Sequence, residues 1–312
     1  MIVGRLSPTR AADATASCST LAQAAVDDFD KAISEPCADL TNQTLCVHAI
    51  HEHADAFRSA HARMPDACLD CPRHTIVLGY DNERDQQGLF STVCSFMATQ
   101  HPQRAVLNIW TRSNERQTLQ AALDTSVARC SFTSAGRLVV HDERELHALA
   151  NANASTAGAD MLRVHILAQR GGIYTDSDML FLKDMQPFCH AAFAYRWSFL
   201  GFHNNAVLGC AQNCSFARRM ISALPDESDP RWDIMEHPAR LLFRQFGLRM
   251  LPSRLFDPSW LAHDRRDFSG TGDAGAWLHH WHGGLKSADL LTNTFHMGCG
   301  TRCRQVIAKM EK

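Results

Sequence analysis

The chain has 312 residues, 45% hydrophobic and 21% charged, enough to bury a substantial core as one domain or as one domain with an appendage. Lys and Arg number 31 against 33 Asp and Glu, a formal charge of -2, so the basic field of a nucleic-acid binder is missing and nucleic acid is disfavoured as a partner. No segment has the apolar length that spans a bilayer, and residues 1–18 lack the continuous apolar stretch of a secretory signal.

Residues 1–73 form a first zone, rich in Ala, His, Asp and Cys, that reads as a helical N-terminal extension of unassigned role. Helices are expected over 19–33 and 45–63. His48, His51, His53 and His61 cluster there, and the i, i+3 spacing of His48 and His51 puts both on one helix face. With no third ligand or carboxylate ladder beside them, a solvated polar face is preferred to a metal site. Among the 12 cysteines, Cys68 with Cys71 and Cys299 with Cys303 have metal-clip or redox spacing. Cys71 precedes Pro72, however, and nothing brings the two pairs together, so disulfides or inert thiols are preferred to zinc. Glycosylation sequons begin at Asn42, Asn153 and Asn213.

The second zone, residues 74–312, alternates in kind. A short apolar run over 75–80 reads as a strand, 89–99 as a helix, and 105–110, after the break at His101-Pro102, as a second strand. Strand, helix, strand at this spacing is a βαβ unit, with a right-handed crossover to a parallel partner. A helix over 115–128, a strand over 137–140 and helices over 143–151 and 160–169 continue the pattern. The result is an open α/β sheet, in which ligands bind outside the carboxyl ends of the strands. No Gly-x-Gly-x-x-Gly and no Walker lysine loop is present, which argues against a dinucleotide oxidoreductase or a P-loop NTPase.

The run Gly171-Gly172-Ile173-Tyr174-Thr175-Asp176-Ser177-Asp178 follows the last of these helices. It reads as a buried strand whose edge meets a turn, so Asp176 and Asp178, at i and i+2 of an extended segment, offer carboxylates to one point. Mg²⁺ and Mn²⁺ are commonly held by one or two carboxylates together with the phosphates of a nucleotide. Ala159-Asp160-Met161-Leu162-Arg163, six residues, then this run resemble the sugar-binding region containing a DXD motif of glycosyltransferases that include animal lactosylceramide α-1,4-galactosyltransferase and fungal initiating α-1,6-mannosyltransferases. Phe90-Ser91-Thr92-Val93-Cys94-Ser95, His101-Pro102 and the strand ending at Trp110 resemble the same family's first helix and second strand.

The resemblance implies a GT-A-like open, mostly parallel sheet flanked by helices, and a retaining hexosyltransferase. It would move a hexose from a UDP-sugar or GDP-mannose to a glycan or glycolipid hydroxyl, with Mn²⁺ or Mg²⁺ as cofactor. Asp176 and Asp178 would hold the metal, and a late His-x-Trp element, matched by His279-His280-Trp281, would supply His279 as a further ligand and Trp281 against the nucleotide or its sugar. His280 and His282 stand as alternatives for that ligand. Asp160 and Arg163, on one helix face, would hold the donor sugar, with a structural salt bridge as the competing account. Tyr174 would shape the nucleotide pocket, alongside the loops near Tyr80 and Asp81, and Lys286 would touch the diphosphate.

Asn205, in Phe202-His203-Asn204-Asn205-Ala206-Val207-Leu208-Gly209, corresponds to the family's Asn-containing segment under the sugar pocket and is a candidate catalytic residue. At Pro238 the family's Gly-Pro-x-x-Leu-Thr is altered, His237 replacing the glycine and Leu242 the threonine. Asp233 and Glu236 are acceptor-side candidates. Retention by double displacement needs a carboxylate nucleophile, for which no residue stands out, so the expected route is front-face, with the leaving diphosphate taking the acceptor's proton. A catalytically inactive nucleotide-sugar-binding module and a metal-dependent phosphoester hydrolase are the alternative functions. The resembling enzymes work in the Golgi lumen behind an anchor; membrane association is expected here only through a missing or separate one.

Overall fold

In this computed structural model the described residues are 20, 24, 27–38, 43–61, 71–78, 83–130, 137–146, 156–189, 191–197, 202–223, 248–258 and 275–280. Helix α1 covers 27–34 and α2 Gln43–His61. Strand β1 (Cys71–Ile76), helix α3 (Glu83–Thr99), β2 (Ala105–Thr111), α4 (Arg116–Arg129) and β3 (Arg137–Asp142) follow as the expected alternation. Helix α5 (Thr156–Arg170), β4 (Gly172–Thr175), β5 (Met179–Phe181), β6 (Phe193–Trp197), β7 (Phe202–Cys210), α6 (Ser215–Ala223), β8 (Arg249–Leu251) and β9 (Leu278–His280) complete it.

Seven strands form one sheet in the order β3-β2-β1-β4-β7-β6-β8, and β5 pairs with β9 in a second, small sheet. The pairings β1 with β2, β2 with β3, β1 with β4 and β6 with β8 are parallel; β7 runs antiparallel between β4 and β6. This is the open, mostly parallel α/β sheet that the strand and helix alternation implied.

Both faces of the sheet are covered, which is why its strands read as unbroken apolar runs. Successive side chains alternate between two cores: Ile109, Ile173, Phe193 and Val207 face one, Trp110, Tyr174, Ala194 and Leu208 the other. Leu89, Val93, Phe96 and Met97 of α3 pack into the first at helical spacing; Leu162, Ile166 and Leu167 of α5 and Phe216 and Met220 of α6 fill the second. Phe29, Ile33, Ile50 and Ala54 of the N-terminal helices lie in the first core as well.

Three boundaries differ from expectation. Strand β1 starts at Cys71, ahead of the expected 75: Pro72 precedes the first pairing to β4, Arg73 with Ile173, so its missing N–H costs that ladder nothing. Within 143–151 only Glu143–Leu146 is a helical turn, of the 3₁₀ kind, and 147–155 lie outside the described residues. The motif stretch is two strands, β4 and β5, with both aspartates in the turn between them.

Eight of the cysteines pair as Cys37–Cys46, Cys71–Cys189, Cys94–Cys130 and Cys210–Cys214. The bond to Cys189 removes Cys71 from any zinc clip with Cys68. Cys68, Cys299 and Cys303 lie outside the described residues, as do Asn42 and Asn153. Asn213 is exposed and takes a left-handed backbone, φ 59°.

Candidate functional site

The site starts from how α5 ends. Gly171 and Gly172 have φ of 64° and 91°, and the Gly171 N–H bonds Leu167 O, closing the helix in a left-handed turn. A Cβ on Gly171 would stand 2.4 Å from Gln212 N and one on Gly172 2.1 Å from Pro72 O, so both positions require glycine. His74 holds the turn: Trp110 Nε1–H donates to His74 Nδ1 at 3.2 Å, which leaves Nε2–H to donate to Gly171 O at 2.9 Å. Burial lowers the His74 pKa to about 3, so the ring is neutral and keeps this pattern.

The aspartate turn is held on two sides. Asp176 N–H bonds Ala206 O of β7 at 2.9 Å. From α3, the Thr92 hydroxyl lies 2.7 Å from the carbonyl oxygens of both Ser177 and Met179 and accepts from Met179 N–H at 3.2 Å. One turn on, Ser95 Oγ accepts from Phe181 N–H at 2.9 Å. The hydroxyls of the Phe90–Ser95 segment therefore grip the motif; in the sequence this segment carried only a resemblance.

Asp176, Asp178 and His280 each present a ligating atom, and the three lie within 4.8 Å of one another. His280 Nε2 is 3.2 Å from Asp178 Oδ1. The expected ligand was His279, and the register of β9 explains the difference. His280 pairs with Met179, the neighbour of Asp178, whereas His279 pairs with Leu180 and points to the opposite face, fully buried. Nor do Asp176 and Asp178 converge through a strand's i, i+2 geometry; the turn between β4 and β5 brings them together.

Behind the carboxylates lies a buried network. Arg163 Nη2 is 2.8 Å from Asp160 Oδ1, and its Nη1 is 3.3 Å from Asp176 Oδ1 and donates to Asn205 O at 2.7 Å. Asn205 Nδ2 donates to Asp160 Oδ1 at 3.0 Å. Tyr174 Oη donates to Asp176 Oδ1 at 2.7 Å, and the Arg163 guanidinium sits over the Tyr174 ring, 4.7 Å from its centroid. The salt bridge between Asp160 and Arg163 is thus present, and the same guanidinium reaches the first motif aspartate. Burial raises the Asp160 pKa to about 6, with Arg163 opposing the shift and Asp176 adding to it. Burial alone would lower the pKa of His280, but the Asp178 charge and hydrogen bond outweigh it and raise it to about 9.

The histidines of the extension do not form a solvated face. His48 is exposed, 3.5 Å from Glu52. His51, however, bonds Gly275 O at 2.9 Å and stacks on Trp277, and His53 is buried against Phe29 and Phe57. His51 thereby ties α2 to the segment that leads into β9. Trp281, His282, Lys286, Asp233, Glu236, His237, Pro238, Leu242, Tyr80 and Asp81 lie outside the described residues, and so does the side chain of His61.

Residues 89–194 match the family model described as "Glycosyltransferase sugar-binding region containing DXD motif". Among solved structures, the chain is similar to "PaToxG Glycosyltransferase" at 14% identity, covering 72% of this chain and 84% of that one, TM-score 0.41. It is similar to mouse xyloside xylosyltransferase 1, apo form, at 12% identity over 58% of this chain and 77% of that one, TM-score 0.36. A third is the WbbM bifunctional glycosyltransferase, apo, at 11% identity over 78% of this chain and 52% of that one, TM-score 0.44. A comparison with curated proteins finds no match. His280 falls outside the matched span, but Thr92, Asp160, Arg163 and both aspartates of the turn fall inside the stretch that matches the glycosyltransferase sugar-binding region containing a DXD motif.

Proposed function

We propose that the chain is a metal-dependent, retaining glycosyltransferase that moves a hexose from a UDP-sugar or GDP-mannose to a hydroxyl of a glycan or glycolipid. The observation that carries this reading is the meeting of Asp176, Asp178 and His280 at one point beside the buried Asp160 and Arg163 pair. Two carboxylates and an imidazole suit Mn²⁺, or Mg²⁺ with more of its shell left to water and phosphate. Both carboxylate side chains are about a quarter exposed, at 27% and 25%, so the cluster opens to a ligand. A bound cation would offset the negative charge that gathers on the departing diphosphate.

The protein's own residues divide the remaining work. Asp178 and His280 would face the metal directly, and Asp176, steadied by Tyr174 and Arg163, directly or through water. Asp160 accepts from sugar hydroxyls and Arg163 donates in a fixed fork, which suits a hexose beside a diphosphate. Asn205 keeps the Asp160 carboxylate in place from β7, a supporting role in addition to its candidacy in catalysis. Trp281 and Lys286 are proposed to close over the nucleotide and the diphosphate. The front-face route fits a site without an assigned nucleophile, the diphosphate taking the acceptor's proton.

Four disulfides favour an oxidising compartment, in keeping with a lumenal, Golgi-type location. Among the described residues no helix is long and apolar enough to cross a membrane. The division into an extension, 1–73, and a glycosyltransferase domain, 74–312, is proposed with the extension supplying the first residues of β1 and acting as a support for β9.

The test is calorimetric titration with a panel of UDP-sugars and GDP-mannose, with and without Mn²⁺, followed by a mass-spectrometric acceptor screen. Binding of one donor that depends on Mn²⁺, and transfer to a hydroxyl acceptor, is expected. No binding of any donor with Mn²⁺ present would overturn the reading; cleavage of the donor at a rate indifferent to acceptor would make the chain a hydrolase.

A further inference from the structure

We propose that Asp257 and Tyr195 form a relay that fixes the tautomer of His280, so that Nε2 is the nitrogen that gives up its proton to a divalent cation; the inference rests on the cation site proposed above. Asp257 is 1% exposed and Tyr195 fully buried, so both are committed to the interior. Tyr195 stands on β6, where it pairs with Leu251 of β8, and the turn after β8 brings Asp257 under it, its N–H bonded to Ser253 O at 2.7 Å. Trp277 N–H bonds Leu255 O at 2.7 Å, which moors the start of the β9 run to the same turn.

The direction of each hydrogen bond follows from what the groups can do. Tyr195 Oη lies 3.4 Å from Asp257 Oδ2 and 3.3 Å from His280 Nδ1, and Asp257 Oδ2 lies 4.0 Å from the same Nδ1. A carboxylate only accepts, so the single phenolic O–H turns to Asp257. The Tyr195 oxygen then has only lone pairs for His280, and Nδ1 must carry the hydrogen and donate it. In the neutral imidazole this leaves Nε2 without a proton, and Nε2 is the atom that faces Asp178 at 3.2 Å. A partner that orients the far side of a ligating imidazole commonly changes metal affinity by about 10–100-fold when removed.

Asp257→Asn reverses the relay without changing its shape. The amide can donate to the Tyr195 oxygen, whose O–H then turns to His280 Nδ1, and the imidazole proton moves to Nε2, on the face the cation needs. The experiment titrates Mn²⁺, followed by the free-ion EPR signal, into the donor-free full chain and its D257N, Y195F and double variants. Circular dichroism and melting confirm that each is folded. The expected result is a loss of affinity of about 10–100-fold in D257N, several-fold in Y195F, and no further loss when D257N is added to Y195F.

Unchanged affinity in D257N, or an equal D257N loss in the Y195F background, would overturn the relay while leaving the cation site standing. If the unaltered protein binds neither Mn²⁺ nor Mg²⁺, the cation site and the relay fall together. Should D257N not fold, Y195F decides: wild-type affinity there refutes the proposal.

Discussion

His280 Nε2 lies 3.2 Å from Asp178 Oδ1, so in the metal-free protein a proton occupies the place a cation would take. Asp178, with Asp257 and Asp176 behind it, outweighs the burial that would discharge the ring, and the His280 pKa stands at about 9 against an ordinary 6.5. Mn²⁺ must displace this proton. Its apparent affinity is expected to rise about tenfold per pH unit toward pH 9 and level off above it. Titrations in buffers of different ionisation heat should show close to one proton released near neutrality, and affinity that is flat between these limits would contradict the assignment. The sign for folding is opposite: the raised pKa stabilises the metal-free protein fully below about 6.5, and this contribution is lost as pH rises through about 9.

Arg163 serves two carboxylates at once, Asp160 at 2.8 Å and Asp176 at 3.3 Å, while nearly all of it is buried. Arg163→Met would leave the Asp160 carboxyl buried without its cation and raise its pKa further. A loss of about 3–5 kcal/mol in urea unfolding is expected, with loss of donor binding under conditions where the variant is still folded. Asp178→Ala should instead abolish Mn²⁺-dependent donor binding with little change in melting temperature above about pH 9, where the raised His280 pKa no longer contributes to stability. A large fall in melting temperature for Asp178→Ala would mark that residue as structural.

The gap between Thr92 and the motif is filled by one hydroxyl. Thr92→Val keeps the shape and leaves the buried Met179 N–H without its acceptor, a cost of about 1–3 kcal/mol. The turn that sets Asp176 and Asp178 should loosen with it, and Mn²⁺-dependent donor affinity should fall several-fold. Thr92→Ser is expected to restore both. Equal donor affinity in the Val variant would show that the turn holds without α3.

Much of this was legible because the relevant signals are local. Strands covered on both faces read as apolar runs, as in Ala105–Thr111, and α3 declares itself by apolar spacing. Asp160, Arg163 and the two aspartates sit in one motif whose glycines are demanded by backbone angles. The choice among the histidines at the end of β9 was not legible, because a three-residue strand carries too little pattern to fix which neighbour faces the site. Asp257 was invisible for another reason: an isolated aspartate between Phe256 and Pro258 has no periodicity, and its meaning comes wholly from the β8 turn that places it under Tyr195. The strand was expected only from residue 75, and the offset of the β4 pairing is what lets Cys71-Pro72 be its start.

His51 decides what the N-terminal helices do for the site. Its Nε2 bonds Gly275 O at 2.9 Å, its ring stacks on Trp277 at 5.6 Å between centroids, and Arg58 and Lys183 also stand over that indole. Leu278 to His280 follow directly, so α2 braces the strand that delivers the imidazole to Asp178. Burial and then Lys183 lower the His51 pKa, which favours a neutral ring that donates from one nitrogen only. His51→Ala removes both the hydrogen bond and the stack, and about 1–2 kcal/mol of stability should go with them. The informative readout is the cation: freed from its brace, β9 should hold His280 less firmly, and Mn²⁺ affinity should fall several-fold even at temperatures well below the melting point. His51→Gln can still donate to Gly275 O while lacking the aromatic face, so it should recover more of the Mn²⁺ affinity than of the stability. If His51→Ala loses stability and keeps its full affinity for Mn²⁺, the helix is only packing, and the strand carrying His280 is positioned by the β5 pairing and the Trp277 bond to Leu255.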